Sequence, residues 1–180
     1  MPVFPVPIFI AAVLAGFFVI RLVRGETHPT LLALIAVCAV QSAIIALVQH
    51  YGVAALRPVQ PILALVIPAV GWAAFDQAAG TGVRHWVWHA AGPVAGLICL
   101  AVQPVLLDLL IPLSFLVYGA AMLVRLAGGE DSLPHSLLDN GARSLGAWRV
   151  LAVALIASAL CDVLLAYAHA QGAAQVLAWV

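Results

Sequence analysis

The chain has 180 residues, 66% of them hydrophobic and only 8% charged, with a mean hydropathy of +1.17. Soluble domains carry roughly 45–50% apolar and about 25% charged residues, so this composition excludes a water-soluble globule and a disordered chain. Seven Arg, no Lys and seven acidic residues balance to zero, which leaves no basic surface for nucleic acid.

At about 20 apolar residues per crossing, the expected fold is an all-α membrane protein, a polytopic helical bundle forming a single transmembrane domain over residues 1–180. The first span covers residues 4–23; Pro2, Pro5 and Pro7 make its start extended rather than firmly helical. No positive n-region precedes it and Arg21 and Arg24 follow it, so it reads as a retained span, not a signal peptide. Thr27-His28-Pro29 is a cap and turn before the second span, residues 30–49. The third covers 59–77, the fourth 86–102 and the fifth 106–126. A polar loop, Gly128 to Gly146, precedes the sixth span at 148–168. From about residue 173 the chain reads as the opening of a truncated seventh. Prolines at 68, 93 and 112 free the carbonyls of Ala64, His89 and Asp108 and are expected to kink their spans.

The arginines set an orientation. With the N-terminus outside, Arg21, Arg24, Arg84, Arg125, Arg143 and Arg149 fall on the cytoplasmic side and only Arg57 falls outside. The expected location is a bacterial inner membrane, crossed several times.

Charges within a bilayer are expensive and are functional candidates. Asp162 lies about six residues from the outer end of its span, roughly 9 Å deep. Asp108 begins the fifth span on the same side, where Arg57, Gln60, His50, Tyr51, Gln49 and His169 also gather, with Gln41 and Ser42 deeper. Arg57 pairing with Asp108 or Asp162 gives either a structural ion pair or a pocket open to the outside. The candidate ligand-binding or ion-pair cluster is therefore Arg57, Gln60, Asp108, Asp162, His50 and Gln41.

Other motifs read structurally. His85 and His89 share a helical face with metal or haem spacing, but no further ligand accompanies them, and Trp86 and Trp88 place them in an interfacial belt. Asp76 reads as a solvated or paired end charge near Arg84. Cys38, Cys99 and Cys161 have neither disulfide nor zinc spacing and read as buried apolar thiols. Gly92-xxx-Gly96 suits close packing inside the bundle, with a homodimer seam as the alternative. No nucleophile elbow or Walker loop is present, so no catalytic residue, metal or cofactor is assigned.

The stretch Gln41-Ser-Ala-Ile-Ile-Ala-Leu-Val-Gln-His-Tyr-Gly52, then Leu56-Arg57-Pro58-Val-Gln-Pro61 and Gly71-Trp72-Ala-Ala-Phe75, continues with Leu107-Asp108-Leu-Leu-Ile-Pro112, Tyr118-Gly119 and Ser158-Ala-Leu-Cys-Asp162. In this order it resembles the N-terminal membrane part of bacterial membrane-anchored transcriptional regulators of the AraC type. The resemblance implies about seven spans and a helix-turn-helix domain beyond them. It also implies a sensory and anchoring role in transcription regulation, with a small ligand or envelope signal arriving from the periplasmic side and no DNA bound by this chain itself. A small proton-coupled carrier with Asp108 and Asp162 as coupling carboxylates is the alternative; a haem or quinone protein is a third.

Overall fold

A computed structural model describes residues 5–25, 28–80, 86–128 and 141–170, apart from the side chains of residues 86, 141–143, 169 and 170. The helices are α1 (Val6–Val23), α2 (Pro29–Gln49), α3 (Val59–Ala78), α4 (Trp86–His89), α5 (Ala91–Val102), α6 (Leu107–Leu126) and α7 (Gly141–Ala170). Single 3-10 turns at Ala54–Leu56 and Pro104–Leu106 lead into α3 and α6. No strand occurs among the described residues. Among the described residues, five stretches are long and apolar enough to cross a membrane: Val6–Val23, Pro29–Gln49, Val59–Ala78, Pro104–Leu126 and Ser144–Ala168.

The expected fourth span differs from the others. Its apolar stretch, Val87–Val102, is shorter, and the helix is interrupted at Ala90 between α4 and α5. Pro93, in the first turn of α5, has no N–H for the carbonyl of His89, and its ring crowds that carbonyl. The α-ladder resumes where the Val94 N–H donates to the Ala90 carbonyl at 3.0 Å. By contrast, α3 and α6 run without interruption through Pro68 and Pro112, both buried. Identical chemistry at three prolines thus breaks one helix and leaves two continuous. The expected polar loop is also shorter at its far end, because residues 141–146 already belong to α7. The expected seventh span lies outside the described residues.

Helix ends follow local rules. Pro5, in extended conformation, precedes α1, and Pro7 sits in its first turn, where a missing N–H is harmless. His28 caps α2 without a side-chain hydrogen bond. Gly25 and Gly80 adopt φ of 69° and 70° just past α1 and α3. Their N–H groups donate to the carbonyls of Leu22 and Gln77, each at 3.1 Å, a left-handed stop that glycine adopts without strain.

The chain forms two compact units, Met1–Leu97 and Ile98–Val180. In the first, α2 packs against both α1 and α3. Its antiparallel register with α3 is marked by Thr30 against Gln77, by Leu34 beneath Gly71 and by Gln41 against Gln60. Leu34, Ile35, Ile44, Ala46, Leu65 and Phe75 are buried there. Gly96 is buried against Leu65 and Ile62, whereas nothing lies within 4 Å of a side chain placed at Gly92. One half of that motif therefore packs inside the unit.

In the second unit α6 packs along α7. Pro112, Phe115, Gly119, Met122 and Leu126 are buried on α6, opposite Ala152, Leu155 and Ala159 on α7. Both sets alternate by three and four residues, the spacing of a helix–helix seam. Arg149 Nη2 donates to the Leu126 carbonyl at 3.3 Å, placing a cation at the end of α6. Elsewhere large apolar side chains such as Phe9, Val13, Ile98, Leu109, Val124 and Leu164 stand exposed. Water-soluble monomers rarely show so much apolar surface, whereas hydrocarbon accepts it.

The approach of α6 to α7 requires a glycine at 119: a Cβ there would meet the Ala152 carbonyl oxygen at 2.9 Å and Ile156 Cγ1 at 2.8 Å. At Gly96 the obstructing atoms are the methyl ends of Leu65 and Ile62, which can turn aside. Gly119→Ala is expected to cost about 1–3 kcal/mol, and Gly96→Ala less. Thermal melting of both variants in detergent checks the order.

Candidate functional site

The residues expected to form one outer cluster divide between the units. Gln41, His50, Arg57 and Gln60 belong to the first, and Asp108 and Asp162 to the second.

In the first unit, Gln41 is the central residue. It stands in mid-α2 with its side chain only 8% exposed. Its Nε2 donates to the backbone carbonyl of Gln60, in the first turn of α3, at 3.2 Å. Its Oε1 is buried and has no hydrogen-bond partner among the described residues. An amide oxygen left unpaired in such a setting costs about 1–3 kcal/mol. Gln60 itself is half-buried. His50, the C-cap of α2, is exposed and meets the Tyr51 ring edge-on at 5.1 Å between centroids. Arg57 is exposed in the turn before α3. The structure therefore joins Gln41 to Gln60 and leaves His50 and Arg57 on the adjoining surface.

The opposite end of the α2–α3 pair is also held by polar groups. The Thr30 hydroxyl donates to Gln77 Oε1 in a very short hydrogen bond. Beside it Asp76 is 7% exposed, so of the two expected states, a solvated or a paired end charge, the solvated one does not hold. Asp76 falls on the wide face of α3 that also buries Ala74, Phe75 and Ala79. Neither feature was legible in advance: Thr30 and Gln77 read as ordinary helix-end residues, and only pairing of the helices brings them together.

In the second unit Asp162 is half-buried and Asp108 exposed. Asp162 falls three residues past Ala159, on the continuation of the α7 seam; Asp108 falls four residues before Pro112, on that of α6. Arg149 marks the other end of this antiparallel pair, so both carboxylates lie at the same end. Asp108 also stands in the first turn of α6, where a negative charge is favoured by the helix dipole.

Around the break at Ala90, Val66, Ala69, Val70 and Ala73 of α3 line an apolar groove of about 240 Å³ with His89, Ala90 and Pro93. The His89 ring lies 6.4 Å from that of Trp72. His85 and Arg84 lie outside the described residues. Among the described residues, no group of three His, Cys, Asp or Glu is placed to hold a metal. None of the three thiols is fully buried, contrary to expectation: Cys38 and Cys99 are half-buried, and Cys161 is exposed on the outer face of α7. Polarisable thiols tolerate such apolar boundaries.

No family model matches the chain, and no match was found among curated proteins or solved structures.

Because the Thr30–Gln77 bond ties the two ends of α2 and α3, Thr30→Val leaves the Gln77 oxygen without its donor. A loss of about 1 kcal/mol is expected, read as a lower melting midpoint in detergent or nanodiscs.

Proposed function

We propose that this chain is the membrane-embedded sensory and anchoring module of a bacterial transcriptional regulator of the AraC type. It reads a small ligand or envelope condition at the end of the bundle carrying Gln41, Gln60 and Arg57. The observation that carries this reading is the Gln41 amide, buried between α2 and α3 with one hydrogen bond made and one acceptor open. A helix pair held by a half-satisfied polar contact has a reason to exist in two arrangements, and a signal that favours one of them shifts the balance. The order of motifs along the chain supports the family assignment.

The orientation follows from the arginines. Arg21 and Arg24 end α1, Arg125 ends α6, and Arg149 stands at that same end of α7, all assigned to the cytoplasmic side. Arg57 stands at the opposite end of the first unit and is assigned to the periplasmic side. In a chain freed of Cys38, Cys99 and Cys161, Arg57→Cys is expected to react with a membrane-impermeant maleimide added to intact spheroplasts. Arg24→Cys should react only after lysis; the reverse pattern inverts the topology.

A second reading, a proton-coupled carrier, is favoured by one observation: Asp162 is a half-buried carboxyl on the seam of α7. Transcript profiles separate the two. The sensory reading expects a defined gene set to change on deletion of the protein and to respond to Gln41→Leu. Unaltered transcripts, together with proton-driven solute accumulation in vesicles that Asp162→Asn abolishes, would establish the carrier instead.

A further inference from the structure

We infer that Gln41 is a recognition point for a hydrogen-bond donor, so that the molecule it accepts carries an O–H or N–H rather than an acceptor alone. The inference rests on the sensory reading for its purpose and on the geometry of Gln41 for its chemistry. A side-chain amide offers two donor hydrogens and one acceptor oxygen. Donation from Nε2 to the Gln60 carbonyl fixes which end of the amide faces that carbonyl, because a carbonyl cannot donate. The oxygen is then the group left open, and it is closed off from outside while α2 and α3 remain packed.

Buried acceptors without donors are rare, and those that persist call for an occupant or a role. Within the described part of the unit, the contact at the other end of the pair is complete, with Thr30 donating to Gln77. The two ends therefore differ: one is satisfied and the other has an oxygen that gains a hydrogen bond only when a donor is admitted. Loosening of α2 from α3 at the Gln41–Gln60 end admits such a molecule while Thr30–Gln77 keeps the register. A donor drawn from water and a donor on a small amphipathic molecule share this chemistry, and the experiment distinguishes them.

The full chain, labelled with 15N-glutamine in lipid nanodiscs, is titrated with hexan-1-ol and, separately, with dipropyl ether. The two share one molecular formula, but only the alcohol donates. Hexan-1-ol is expected to shift the Gln41 side-chain amide resonance and raise the melting midpoint, while the ether at equal concentration does neither. Gln41→Leu should weaken the alcohol response about tenfold, the factor that one hydrogen bond supplies. A cross-peak between the Gln41 amide and water in the probe-free sample instead assigns the donor site to water. Equal responses to alcohol and ether, with no water contact, overturn the inference. The comparison of alcohol with ether on the unaltered chain stands even where Gln41→Leu does not fold. None of these readouts involves transcription, so a selective alcohol response with silent transcripts would retire the sensory reading alone.

Discussion

Five helices among the described residues are long and apolar enough to cross a membrane, and hydrocarbon around such helices would offer no hydrogen bonds. Every backbone amide in such a helix has to find its partner within that helix, which accounts for the helical character of the described chain. The same property removes the usual driving force for packing apolar side chains together. Helices then associate through close contact and a few polar bonds. Both devices are present. Gly119 lets α6 approach the backbone of α7, and Gln41, Thr30 and Arg149 each reach across to a neighbouring helix.

The two units use these devices differently. The α6–α7 pair has a continuous apolar seam, spaced by threes and fours, closed at one end by Arg149 and flanked at the other by Asp162 and Asp108. Its backbones come close at Gly119, and its charged groups stand towards the ends. The α2–α3 pair instead carries amides within the contact itself, one bond satisfied near Gln77 and one incomplete near Gln60. The two pairs thus differ in the polar side-chain bonds that cross them.

Much of this was legible in the residues. Long apolar runs bounded by Pro and Gly located α1, α2, α3 and α6 to within one or two residues, because in such runs local chemistry sets the ends. The polarity of Gln41 and Gln60 also stood out in an apolar setting. What could not be read was pairing. Thr30 and Gln77 are separated by 47 positions, and no local pattern joins them. Asp76 looked like an end charge because depth along a helix is readable, whereas the face it turns inward is not. The three prolines carried the same signal, yet only Pro93 ends a ladder; Pro68 and Pro112 are buried in continuous helices. Arg57 and the two aspartates, grouped in the sequence by depth alone, belong to different units.

The interruption at Ala90 has a consequence for the lipid itself. The apolar stretch Val87–Val102 extends roughly 24 Å when helical, against a hydrocarbon thickness of about 30 Å. To cross at all, it has to draw the two leaflets closer or let flanking side chains reach outward, at a fraction of a kcal/mol for each Å of mismatch. Of the longer helices, Val6–Val23 reaches roughly 27 Å and the other four about 30 Å or more. A crossing by Val87–Val102 would therefore suit a thinner bilayer than the longer helices do, and acyl-chain length would act upon it unequally.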